Sequence, residues 1–157
     1  MAKIKKVGHV VLGVRDLQRS IKFYTEALGM ECINLLEGEP PEMAFFSFGE
    51  RDHDIAVTKV PDDQPVGSSG LAHTALEIDG GEPQLRELYE KLKSYGATVE
   101  FTADHIITKS VYFLDPDGNR LEIFSQELAG AAATQALHDA STIGEVLKPL
   151  NLEPVVS

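Results

Sequence analysis

Three residues of this 157-residue chain have side chains suited to gripping a divalent cation: His9, His73 and Glu122. Two imidazoles and one carboxylate form a facial donor set that leaves coordination positions open, which suits Fe(II) and, less exclusively, Mn(II). Taken singly, each has a blander explanation. A strand histidine is more often a satisfied core or edge residue than a ligand, and a strand glutamate is more often solvated. Glu122 sits among Leu121, Ile123 and Phe124, where an unpartnered carboxylate would be costly to desolvate. Alternation with Leu121 and Ile123 allows it to face solvent. Facing inward, it needs a positive partner, and a divalent cation would be one.

Further polar groups could serve such a site. His53 opens the apolar run His53-Asp54-Ile55-Ala56-Val57. It reads either as a turn histidine in water or as a neutral imidazole able to take and return protons near pH 7. Tyr112 offers a phenol on the strand preceding that of Glu122, or is an ordinary half-buried strand aromatic. His105, in the loop before the Tyr112 strand, could approach the same cavity. Tyr24 and Tyr89 fall on apolar helical stripes and read as core. Cys32 reads as a small buried hydrophobe.

These groups must be positioned by a repeated unit. Residues 3–14 read as a strand rich in Val and Ile, and Asp16 can cap a helix carrying Leu17, Ile21, Tyr24 and Leu28 until Gly29. Strands are expected at 31–36, 43–48 and 53–60, and 61–70 reads as a linker. The order then begins again: a strand at 71–78, a helix at 83–95 closed by Gly96, and strands at 98–102, 108–114 and 120–125. The Asp115-Pro116-Asp117-Gly118-Asn119 segment joins the last two, with Gly118 or Asn119 able to take positive φ. The expected fold is α+β: two βαβββ modules, about 4–60 and 71–126, pairing into one cupped mixed sheet within a single domain, 1–127. His9 and His73 hold corresponding places in the opening strands. Residues 128–157 read as a C-terminal helical tail of one or two helices.

Composition sets the outer bounds. With 43% hydrophobic and 25% charged residues the chain reads as soluble and globular. A net charge of -11 argues against nucleic acid or an anionic membrane as partner. A lone cysteine excludes an intrachain disulfide and points to a reducing, cytoplasmic setting, and nothing in the chain's opening points to export.

The duplicated βαβββ order with Val7-Gly8-His9-Val10-Val11-Leu12-Gly13-Val14-Arg15-Asp16-Leu17, Phe23-Tyr24 and Leu28-Gly29 resembles the vicinal oxygen chelate superfamily, which includes glyoxalases, bleomycin-resistance proteins and dioxygenases. Three further segments resemble single-domain type I extradiol dioxygenases. They are His53-Asp54-Ile55-Ala56, His73 within Leu71-Ala72-His73-Thr74-Ala75, and Tyr112-Phe113-Leu114-Asp115-Pro116-Asp117-Gly118-Asn119-Arg120 leading to Glu122 and Phe124. The resemblance implies an Fe(II) enzyme, with Mn(II) the alternative, that cleaves a catechol-type diol with O2. It implies His9, His73 and Glu122 as metal ligands, His53 as acid–base residue, Tyr112 as hydrogen-bond donor to substrate, His105 as a further candidate, and a homodimer or higher oligomer. Other metal enzymes of the superfamily are the alternative: a glyoxalase, an epimerase or a fosfomycin-type thiol transferase. So is a non-enzymatic drug-binding resistance protein.

Overall fold

The computed structural model describes residues 7–36, 42–67 and 70–153. The expected strand residues 3–6, the turn at 37–41 and linker positions 68–69 lie outside them. Two compact units result: residues 1–70 with 116–119, and residues 71–115 with 120–157.

In the first unit, β1 (Val10–Val14) is followed by α1 (Leu17–Lys22), β2 (Glu31–Leu36), β3 (Met43–Ser47) and β4 (Ile55–Lys59), in the sheet order β1-β4-β3-β2. β1 runs parallel to β4 and the other pairs are antiparallel. Leu12 and Val14 are buried while Val11 is exposed, the period-two pattern of a strand with one covered face. Asp16 caps α1 by accepting the Arg19 N–H at 3.0 Å. The helix runs on as a π-helical turn, Phe23–Ala27, in which the consecutive Phe23 and Tyr24 are both buried. Tyr24 stacks on Phe46 with ring centroids 5.1 Å apart. That widened turn is absent from a plain 3.6-residue reading.

The second unit repeats the order with β5 (Thr74–Glu77), α2 (Glu82–Tyr95), β6 (Thr98–Asp104), β7 (Thr108–Leu114) and β8 (Arg120–Gln126). β5 is parallel to β8, as β1 is to β4. Leu85, Tyr89 and Leu92 form the buried stripe of α2, and Gly96 ends the helix at φ 87°. The tail supplies α3 (Gly130–Asp139), α4 (Ile143–Val146) and a short β9 (Lys148–Pro149) that pairs with the β6 edge. The sheet order is β5-β8-β7-β6-β9. Both βαβββ modules and their mixed pairing are as expected, but each module hydrogen-bonds its own sheet, four strands and five, instead of one shared sheet.

The Asp-Pro-Asp-Gly turn does more than reverse the chain. Gly118 takes φ 83°, and residues 116–119 pack within the first unit. There the Asp117 side chain, 1% exposed, accepts the Arg15 backbone N–H at 2.9 Å and the Arg19 guanidinium at 2.8 Å. Asp117→Ala leaves that N–H without its acceptor and should lower unfolding stability by about 2–4 kcal/mol in a urea titration. A loss below about 0.5 kcal/mol would show the contact to be incidental.

Candidate metal centre

Strand onset differs from expectation at all three histidines. His9, His53 and His73 lie just before β1, β4 and β5, not inside them. The Asp54 carbonyl accepts the Val10 N–H at 3.1 Å and its N–H donates to the Phe46 carbonyl at 2.8 Å, so cross-strand bonding begins at Asp54, one residue after His53, while the Asp54 carboxylate accepts the Phe48 N–H at 2.9 Å. His9 and His73 keep corresponding places, each immediately before the first residue of its opening strand.

Register explains how the second unit gathers its polar groups. Tyr112 and Glu122 are direct partners across β7 and β8, and Ala75 is the partner of Glu122 across β5 and β8. His73 lies two residues before Ala75, on the same side of the chain path, and Ala75 leaves room for it. Its Nε2 stands 3.0 Å from Glu122 Oε2. Glu122 is 5% exposed, so the inward alternative holds, and the His73 imidazole stands against its carboxylate. Leu121, Glu122 and Ile123 are all buried, which shows both faces of β8 to be covered.

Tyr112 is 7% exposed, stacked on Phe101 at 4.2 Å and edge-on to His73 at 5.3 Å. Phe101 escaped the sequence reading, although its place opposite Tyr112 follows from β6–β7 pairing. Burial, and then the Glu122 carboxylate beside it, push the Tyr112 phenol up to about 12. His105 Nε2 stands 3.0 Å from the Tyr112 hydroxyl, and its Nδ1 stands 2.6 Å from the Val146 carbonyl. A carbonyl only accepts, so Nδ1 carries hydrogen, and in the neutral ring Nε2 accepts from the tyrosine. A cavity of about 290 Å³ borders His105, Tyr112 and Glu122.

Because the folded state raises the Tyr112 pKa above the ordinary value of ~10, the neutral phenol is the favoured form. The stability tied to it is complete below pH ~10 and is lost as pH rises toward ~12. An absorbance titration of the metal-free chain, parent minus Tyr112→Phe, should show a phenol ionising near 12. A midpoint at ~10 would refute its burial.

In the first unit, the rings of His9 and His53 lie 4.4 Å apart, and Phe45 meets His53 edge-on at 5.3 Å. His53 Nδ1 is 2.7 Å from Asp52 Oδ2, and this hydrogen bond holds the Asp52 carboxyl below the usual range. With Nδ1–H committed to Asp52, the neutral ring presents Nε2 as its basic atom. The Arg51 guanidinium donates to the Gly8 carbonyl at 2.7 Å, anchoring the residue before His9. Of the phenylalanines beside this strand, Phe46 is core and Phe48 is exposed, leaving Phe45 beside His53.

Among the described residues, no three His, Cys, Asp or Glu side chains form a ready metal cluster. The His73–Glu122 pair nonetheless suits a cation. Two donors at ~2.1 Å in adjacent octahedral positions sit ~3 Å apart, matching the 3.0 Å seen. The first unit offers no carboxylate at the equivalent place. Ala56 pairs with Val11 as Glu122 pairs with Ala75, and His9 precedes Val11 by the interval that separates His73 from Ala75. That place on β4 therefore supplies no metal donor. Among the described residues, no helix is long and apolar enough to cross a membrane.

The Glyoxalase/Bleomycin resistance protein/Dioxygenase superfamily model matches residues 6–123. The chain belongs to this superfamily. Biphenyl-2,3-diol 1,2-dioxygenase 3 of Rhodococcus globerulus is 29% identical, the match covering 97% of this chain and 82% of the relative. A lactoylglutathione lyase of Escherichia coli O157:H7 is 31% identical over 78% of this chain and 93% of the relative. The fosfomycin resistance protein FosX from Listeria monocytogenes, solved with Mn(II) and sulfate, aligns with a TM-score of 0.65 at 20% identity, over 80% of this chain and 96% of that one. Superfamily relatives are thus enzymes of more than one chemistry, acting on small molecules.

Proposed function

We propose that the chain is a single-domain extradiol dioxygenase that cleaves a catechol-type diol with O2. The observation that carries this reading is the buried Glu122 paired with His73 and facing Tyr112, while Ala56 occupies the equivalent place in the first module. Three ligands instead of four leave room for a bidentate diol and a gas molecule. His9, His73 and Glu122 would hold Fe(II), with Mn(II) as the alternative. Once bound, the ion would supply Lewis acidity and the redox chemistry that both reactants need.

The remaining roles belong to this chain's own groups. His53, its Nδ1–H held by Asp52, takes a diol proton at Nε2 and returns it later. Tyr112 keeps its proton at neutral pH, so its hydroxyl remains a donor, to His105 in the free chain and to a substrate oxygen once the diol is bound. His105, backed by the Val146 carbonyl, sets the direction of that hydroxyl. A cytoplasmic setting and a homodimeric or higher assembly belong to the same reading, supported by the lone cysteine and the family resemblance.

The test is anaerobic loading with Fe(II), then catechol or 2,3-dihydroxybiphenyl in air. A yellow ring-opened product is expected. An iron-loaded chain that consumes neither diol would refute the reading. The likeness to a lactoylglutathione lyase supports a second one. Lyase action on lactoylglutathione with Mn(II), Ni(II), Zn(II) or Co(II), and no turnover of a diol, would favour it.

A further inference from the structure

The cavity beside Tyr112 and Glu122 has a second wall that the proposed chemistry does not use, and that wall comes largely from the C-terminal tail: Leu137, Val146 and Leu147, with Ile107 from the β6–β7 loop. Leu137 and Leu147 are 50% and 44% exposed, so large apolar side chains border an empty volume instead of filling it. Among the described residues, no lysine or arginine lines the cavity.

The wall is built in advance. Val146 is tied to His105, Thr102 Oγ1 donates to the Leu150 carbonyl at 2.5 Å, and Arg86 Nη2 donates to the Asn151 carbonyl at 2.9 Å. Lys93 pairs with Glu153 at 3.0 Å, β9 extends the sheet edge, and Leu152 is 3% exposed. Together these contacts hold the tail on the C-terminal side of the cavity-lining residues, from Val146 to Glu153. At about 290 Å³ the cavity stands at the small end of the ~300–1,000 Å³ range of small-molecule sites, enough for one modest group.

We propose that the tail forms a subsite for an apolar substituent, aryl or branched alkyl, borne by the diol, and that Leu137 and Leu147 determine specificity for it. This rests on the diol reading of the site. An anionic substituent is disfavoured, because it would meet Glu122, no cation in the lining and a chain of net charge -11.

The experiment compares the full-length parent, the double variant Leu137→Asp/Leu147→Asp and the milder Leu147→Ala. Calorimetry without O2 measures catechol and 2,3-dihydroxybiphenyl binding to the Fe(II)-loaded chain. Fluorescence measures 1-naphthol binding to the metal-free chain. The parent should bind the aryl diol at least ~10-fold tighter than catechol, the scale of one buried apolar group. The double variant should lose that preference and weaken 1-naphthol by a similar factor, with catechol affinity kept within about twofold, and Leu147→Ala should fall between. An unchanged preference together with unchanged 1-naphthol binding overturns the subsite while leaving the diol reading intact. If neither diol binds the parent but the double variant still weakens 1-naphthol, the diol reading fails and the apolar subsite stands.

Discussion

Glu122→Ala is expected to strip the chain of iron, weakening Fe(II) binding by at least ~10²-fold and bringing diol cleavage to background. Removal of outer-shell partners alone commonly costs 10–100-fold in metal affinity, and Glu122 is the anionic member of the proposed set. Glu122 is 5% exposed, and its carboxylate stands 3.0 Å from His73 Nε2. The effect is read as iron retained per chain after gel filtration, alongside diol consumption. Glu122→Gln, nearly isosteric, should preserve the fold and its cooperative melt while showing the same loss, which separates ligand removal from misfolding. If Glu122→Ala held iron as tightly as the parent, the ligand assignment would be wrong.

His53→Phe should act differently, keeping the iron and slowing turnover by ~10²-fold or more, the scale of lost acid–base catalysis. A phenyl ring can occupy the imidazole's place against His9 and Phe45, where the contacts are ring to ring at 4.4 and 5.3 Å. What vanishes is the basic Nε2 and the Nδ1–H that Asp52 holds. Kinetics should therefore show a lower kcat with little change in KM, and metal analysis should show full loading. Unchanged turnover would remove His53 from the mechanism, and lost iron would move it into the coordination sphere.

Much of this architecture was legible because local chemistry and long-range packing agree. Asp16 caps where a capping residue was expected, and Gly96 closes α2 with positive φ. Gly118 takes the turn conformation that the Asp-Pro-Asp-Gly pattern calls for. The repeat showed because each module needs the same alternation of strand and helix to bury its apolar faces. Strand onsets were less legible. His53 sits in a run that looks like strand, yet the cross-strand hydrogen bonds begin only at Asp54, which bonds to Val10 and Phe46. The two-residue β9 carries no periodicity of its own and exists because β6 offers it an edge.

Residue types, spacing and duplication alone determined the modules, the superfamily and the candidate side chains, since these depend on patterns within a few residues of chain. The tertiary structure decided what patterns cannot express. Alternation left Glu122 free to face either way, and burial on both faces of β8 settled it inward beside His73. His105 reached Tyr112, and the tail became a cavity wall, through contacts between segments distant in sequence. Those contacts are set by register and packing, which a linear string does not contain.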